Sequence, residues 1–411
     1  MKLKRSALFA LILAVGAVPA PAQLGLPPVV GTVDETLQTV DRTIGAVAPT
    51  LHNISASARS LADARVERLA RLLRRNPDSM ERDSAGDLAR KDELLLLDPD
   101  ADALEKARIA GFTVLSTEVL AELGMRVVRF RIPSSMKLAR AQDRLAGLLP
   151  GVTISADTLN FQGGAVSPAA RPGKASPASM PPIETPVGII DGGAGRSATV
   201  AETRGFARGA PMVSDHGAAV ASLLAHAGVR RVLVADVYGN DPAGGNSLAI
   251  ARALDWLIGR DIRVVSMSLV GPANPVLARA ITAAQRRGAV IVAPVGNDGP
   301  AAPAAYPASY PGVIAVTGVD GRNRAMIEAG CALHLDYAAP GADMLGANAA
   351  GRWVRVRGTS FAVPFVASRA ALVLGGPVAA RLDREAIDLG KRGPDEIYGR
   401  GLLCVICRRT R

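Results

Sequence analysis

The sequence predicts an α/β protein: a parallel sheet flanked by helices, preceded by a small α+β module of split βαβ layout. Three observations carry this. From Thr185 onward, near-continuous apolar strands alternate with helical stretches, the pattern of a parallel sheet covered on both faces. Between Glu93 and Leu159 the order is strand, helix, strand, strand, helix, strand. Residues 163–184 lie between the two and are rich in Gly, Ala, Ser and Pro. Such a stretch buries too little apolar surface to offset its ordering entropy, so it reads as a linker.

The chain has 411 residues, 49% hydrophobic and 21% charged, which is enough apolar surface for more than one core. Aromatics are only 3%, so packing is aliphatic. Net charge is +11, from 48 Lys and Arg against 37 Asp and Glu. The arginines are spread along the chain and few rings are present to stack bases, so nucleic acid is not the expected partner. Lys2, Lys4 and Arg5, the apolar run Ala7 to Val18, and Ala20-Pro21-Ala22 have the layout of a signal peptide, residues 1–22. That layout places the mature chain outside the cytoplasm, secreted or periplasmic, and no later stretch has the length of a membrane span. Of Cys331, Cys404 and Cys407, the last two have redox-motif spacing, but a structural pair or buried thiols is the reading their place near the C-terminus favours.

Residues 23–90 are read as a helical spacer. Val33 to Arg75 is periodic, clearest at Ala62, Val66, Leu69 and Leu73, and Asn76-Pro77-Asp78-Ser79 breaks it. The α+β module, 91–162, has strands at Leu94 to Leu97, from Thr113, at Met125 to Ile132 and at Val152 to Leu159. Its helices are Ala101 to Ala110 and Lys137 to Leu149. In the last part, 185–411, strands are expected at Pro186 to Ile190, Arg231 to Val237, Ile262 to Leu269, Ala289 to Val295 and Val313 to Val316. Helices are expected at His216 to His226, Ser247 to Ile258, Pro275 to Arg287 and Ser360 to Leu374.

Open α/β sheets hold their sites at the carboxyl ends of strands and the amino ends of helices. Four polar residues fall there. Asp191 ends a strand and precedes two glycines; His216 opens a helix behind Ser214 and Asp215. Asn297 lies in Gly296-Asn297-Asp298-Gly299 after a strand, and Ser360 opens a helix in Gly358-Thr359-Ser360-Phe361-Ala362-Val363-Pro364. These types suit acyl transfer: a serine nucleophile, an imidazole base, a carboxylate to orient it, and donors from Asn297 and the Ser360 N–H for an oxyanion. His52, His226 and His334 have no such surroundings. No Gly-x-Gly-x-x-Gly or Gly-x-x-x-x-Gly-Lys run follows the first strand, which sets a nucleotide site aside.

The segments Val187 to Gly193, Ser214 to Ser222, Val265 to Pro272, Ala289 to Gly299, Tyr306 to Val319, Tyr337 to Gly341 and Gly358 to Ala367 together resemble the subtilisin-like serine peptidases. The resemblance runs from about 185 to 403. It implies an endopeptidase acting on polypeptides, with Asp191, His216 and Ser360 as triad and Asn297 in the oxyanion hole. It implies a substrate strand pairing with Ser268, Leu269 and Val270. The first specificity pocket would be formed by that strand with Pro294, Val295 and Gly296, narrowed by the two valines toward small or modest apolar side chains. The α+β module resembles the family's propeptide, an intramolecular inhibitor. Gly192 and Ala218 stand where the family usually has hydroxyl residues, so a catalytically weak or inactive binding protein is the alternative. Calcium is common in the family, but no acidic cluster here has calcium-loop spacing; no metal or other cofactor is assigned.

Overall fold

In the computed structural model the described residues are 58–167, 180–195, 197 and 199–408, and they belong to one compact unit, Ala56–Arg411. The expected signal peptide, the spacer as far as residue 57, and linker residues 168–179 lie outside the described residues.

A helix at 58–75 (α1) leads into an antiparallel sheet. Its strands are β1 (Met80–Arg82), β2 (Leu88–Leu97), β3 (Thr113–Leu120), β4 (Met125–Arg131) and β5 (Thr153–Thr158). In space the order is β3-β4-β2-β5, with β1 beside the first residues of β2. Side chains alternate as a pleat requires. Leu94, Leu96, Val128 and Phe130 face the two helices α2 (Ala101–Ile109) and α3 (Leu138–Leu148), whereas Leu95 and Val127 join a core on the opposite face. The sheet begins at Met80 rather than 91. The apparent end of the spacer is a hairpin, because Met80 and Leu88 bury against Leu159 and Ala243 beneath Leu69, Leu72 and Leu73 of α1. The inward face of α1 also differs from the expected one: Val66 is 60% exposed, while Arg65 turns toward Asp298.

The second body has seven parallel strands in the order β15-β14-β13-β11-β8-β10-β9. They are β8 (Val187–Asp191), β9 (Val200–Gly205), β10 (Val232–Asp236), β11 (Val264–Met267), β13 (Val290–Pro294), β14 (Ile314–Val319) and β15 (Tyr337–Pro340). Helices α5 (Ser247–Gly259) and α6 (Pro275–Arg286) cover one face around Ile190, Leu233 and Val265. Helices α4 (Asp215–His226) and α7 (Val363–Leu372) cover the other around Val187, Ile189 and Val232. β9 escapes a sequence reading because it is an edge strand, Val-Ala-Glu-Thr-Arg-Gly, with no fully buried residue. Cys404 and Cys407 form a disulfide; Cys331 is free and half-buried.

The antiparallel sheet docks on α5 and α6 largely through their amino ends, where helix N–H groups lack intrahelical partners. Asn274 caps α6 by accepting from Val276 and Leu277 N–H, and its amide donates to Ser155 Oγ at 2.8 Å and Thr158 Oγ1 at 3.0 Å. Asp157 accepts from the Leu248 N–H at 2.9 Å, in the first turn of α5. At the far end, Asp255 of α5 accepts from the backbone of Glu122 and Leu123 in the β3–β4 turn.

Burial pushes the Asp157 carboxyl up to about 7, against the Leu248 N–H and the Arg90 charge, which pull it down. A carboxyl raised in the folded state binds its proton more tightly there. The resulting stability is present in full below the ordinary value of 3.8 and is lost as pH rises toward 7. Asp157→Asn, which keeps the acceptor, is expected to remove this loss and add about 2 to 4 kcal/mol at pH 8 relative to the parent. Thermal melts at pH 4 and pH 8 measure it, and equal slopes for the two proteins would count against it.

Candidate active site

Asp191 is the last residue of β8, an interior strand between β11 and β10, and is fully buried. His216 is the second residue of α4; Ser214 caps that helix by accepting from the Gly217 N–H at 3.0 Å. His216 Nδ1–H donates to both Asp191 oxygens, at 2.9 and 3.0 Å. Ser360 lies in a short 3-10 turn, Thr359–Phe361, ahead of α7 rather than inside a helix starting at 360. The Pro364 ring is accommodated near the start of α7, where no intrahelical N–H bond is lost. Asn297 follows β13. Its Oδ1 accepts from the Thr359 N–H at 2.8 Å, which turns Nδ2 toward the cleft, and that buried donor has no partner. An unsatisfied buried donor costs about 1 to 3 kcal/mol and marks a group kept for another purpose.

The cleft between these residues holds the protein's own chain. Residues that follow β5 form β6 (Phe161–Gln162), which pairs antiparallel with β12 (Leu269–Val270), Gln162 opposite Leu269 and Phe161 opposite Val270. On the other flank the Asn160 N–H donates to Gly245 O at 2.8 Å, and Tyr238 Oη donates to Asn160 O at 3.0 Å. Past the centre, β7 (Ala165–Val166) pairs with β17 (Trp353–Arg357). The opening residues of the expected linker are therefore strand and cleft occupant, ordered by backbone pairing on both sides.

Gly163 sits at the middle. Its carbonyl accepts from His216 Nε2 at 2.9 Å. A side-chain carbon built on it would lie 2.7 Å from Asn297 Nδ2 and 3.0 Å from Ser360 Oγ, so the chain passes directly over both. Gly358, at φ +151°, meets Gly164 so closely that an added carbon would be 2.5 Å from its Cα. Ser360 Oγ donates to Ser268 O at 3.3 Å, and Ser268 Oγ donates to Ser360 O at 3.0 Å. Among the described residues no serine–imidazole hydrogen bond is formed; the Gly163 carbonyl has taken its place. His216 thus faces an acceptor at each ring nitrogen, which only an imidazolium satisfies. Burial works against that charge, but the Asp191 carboxylate, its hydrogen bond and the Gly163 carbonyl together lift the ring above the ordinary histidine range.

Val270, Val295 and Gly296 line a cavity of about 630 Å³ beneath Gly163. Ser268 and Leu269 do not line it, and Pro294 is held in the sheet opposite Val316. The same cavity runs on past Ala302, Ala305 and Gly330 to Arg65, Leu88 and Leu159, so its volume is not that of a single side-chain pocket. At its rim, Arg68 makes two hydrogen bonds to Asp298, at 2.9 and 3.0 Å, with Arg65 at 3.4 Å. Leu61 touches Gly299. Helix α1 therefore spans from the cavity rim to Leu159 and Phe161, over the strand in the cleft.

Sequence reasoning missed Gln162, Gly163, Tyr238 and the α1 arginines. The one available signal was Gly163-Gly164 at the point where strand pattern gives way to linker composition. Among the described residues no group of three or more His, Cys, Asp or Glu side chains is placed to hold a metal ion.

The model of the Subtilase family matches residues 199–382. Subtilisin DY of Bacillus licheniformis is 34% identical over 178 residues, 40% of this chain and 64% of that protein. Subtilisin E of Bacillus subtilis (strain 168) is 33% identical over 167 residues, 38% of this chain and 43% of that protein. The chain thus spans less than two thirds of either relative. Among solved structures, fervidolysin from Fervidobacterium pennivorans, described as a keratinolytic enzyme related to subtilisin, aligns with TM-score 0.63 and 16% identity. That alignment covers 78% of this chain and 61% of that one, a likeness of fold. Strand order, family match and sequence identity agree that residues 199–382 are similar to the subtilase family, within a subtilisin-like fold.

Proposed function

We propose that the protein is an exported serine endopeptidase, held latent by its own residues 161–166 until they are cut. The observation that carries this is the convergence of His216, Ser360 and the orphaned Asn297 donor on one peptide unit, that of Gly163. Export rests on the signal-like layout of residues 1–22.

In the reaction, Ser360 Oγ attacks a peptide carbonyl carbon while its proton passes to His216 Nε2. Asp191 holds the ring tautomer and balances the imidazolium. Asn297 Nδ2 and the Ser360 N–H receive the oxyanion. The C–N bond breaks as His216 returns the proton to the leaving amine, and water then hydrolyses the acyl-serine by the same steps. The first such substrate is the Gly163–Gly164 bond. For this the Gly163 carbonyl swings from His216 to Asn297 and the Nε2 proton it had held is lost to water, leaving a neutral imidazole free to accept the serine proton. Until then His216 is an acid with no lone pair to offer. The antiparallel module buried on α5 and α6, together with α1 across the cleft, acts as the intramolecular inhibitor.

Ser360→Ala is expected to abolish labelling by a fluorophosphonate and to leave the chain uncut, whereas the parent yields a new N-terminus at Gly164. Labelling that survives in Ser360→Ala sinks the assignment. Asn297→Ala should keep labelling detectable while lowering kcat by about 10² to 10³.

The sign of the pH dependence follows from His216. Its raised value means that the grip on Gly163 is full below the ordinary value of 6.5 and is lost as pH rises through the raised one. Self-cleavage of the purified chain is therefore expected to speed up from pH 6 toward pH 9, by about tenfold per unit at its steepest. A time course of N-terminal sequencing at several pH values reads this, and a flat profile would contradict it.

A further inference from the structure

The side chain of Gln162 does something that backbone pairing does not require. Its Nε2 donates to Asp191 Oδ1 at 2.7 Å, shorter than the bond from His216 Nδ1 to the same oxygen. The Gly192 N–H also donates to that oxygen, at 2.7 Å. The amide reaches a fully buried carboxylate only because residue 192 has no side chain. A carbon built on Gly192 would stand 2.9 Å from Gln162 Nε2 and 2.4 Å from Ser214 Oγ, so any larger residue there would close the path.

We infer that this notch, walled by Gly192 and Ser214 and floored by Asp191, is a specificity site for glutamine immediately before the residue whose carbonyl is attacked. The inference rests on the peptidase reading and names the substrates that reading leaves open. Register supports it. Gln162 pairs with Leu269 and directly precedes Gly163, so a foreign peptide pairing with β12 in the same register places its corresponding side chain in the notch. The chemistry selects among side chains. Glutamine has the reach and a neutral N–H donor; glutamate has the same shape but would oppose one carboxylate with another. Leucine matches in bulk and leaves the donor position empty.

Magnitude follows from what remains when the amide is lost. Asp191 Oδ1 keeps Gly192 and His216 as donors, so the carboxylate is not orphaned. Hydrogen bonds to charged groups are the stronger class, but losing one of three here is expected to cost about tenfold in kcat/KM rather than thousands.

The test uses protein purified from expression of the full chain and three peptides, Asn-Phe-X-Gly-Gly-Ala with X as Gln, Leu or Glu, cleavage being located by mass spectrometry. Fluorophosphonate labelling of Ser360 is measured in parallel. The expected result is cutting after the first glycine, with kcat/KM about tenfold higher for Gln than for Leu and lowest for Glu. In Gly192→Ser the Gln-to-Leu ratio should fall to near one, whatever the absolute rate. Gln, Leu and Glu peptides cut at rates within twofold of one another in the parent, with Ser360 labelled, would overturn this inference alone. No cutting and no labelling would overturn the peptidase reading and this inference with it.

Discussion

A carboxylate with no solvent exposure stands at the end of an interior strand of the parallel sheet, and much of the structure can be read as the arrangement that keeps it there. Burying an unpaired charge is among the most expensive things a fold can do, so Asp191 must be surrounded by donors. β8 delivers it, the next N–H in the chain turns back onto it, and α4 presents His216 from across the cleft. The cap at Ser214 matters for the same reason, since it fixes where α4 begins and hence where the imidazole points. In the uncut chain a further donor comes from Gln162, which ties the occupant of the cleft to the residue that organises it.

One continuous stretch, 153–166, does most of the inhibitory work in this reading. It starts as β5, whose Ser155, Asp157 and Thr158 are clasped by the capped ends of α5 and α6. It then pairs as β6 with the cleft wall, crosses Ser360 at Gly163, and leaves as β7 on β17. Backbone pairing of this kind is indifferent to side chains. Under the proposed function, discrimination falls to the two places where side chains enter: the cavity below Gly163 and the notch beside Gly192. In the proposed mechanism, latency is released by a shift of one carbonyl. With Gly163 O on His216, the ring has an acceptor at each nitrogen and Asn297 Nδ2 is left without a partner.

Much of the fold was legible before any coordinates. The strands around Ile189, Val234, Val265 and Ile291 are buried on both faces and read as unbroken apolar runs, which leaves little doubt about a parallel sheet. In the α+β module the strands read as apolar runs rather than clean alternation, because Leu94 and Leu96 pack on α2 and α3 while Leu95 and Val127 bury on the opposite face. Legibility failed at edges and short elements. β9 is half-exposed and polar; β1 and β6 have only three and two residues. The inward face of α1 was misjudged because its arginines bury part of their length by pairing with Asp298, while the apolar Val66 is left to solvent.

The sequence by itself determined the fold class, the order of elements, and which polar residues stand at strand ends and helix starts, because periodicity, caps and glycines are local properties. Only the tertiary structure decided what those residues face. That Gly163 rather than Ser360 holds the imidazole, that Asn297 is left without a partner, and that a glutamine amide fills the space beside Gly192 all depend on contacts between positions far apart in the chain. Hydrogen bonds of that kind are set by distance and direction in space, and neither is written in the neighbourhood of any one residue.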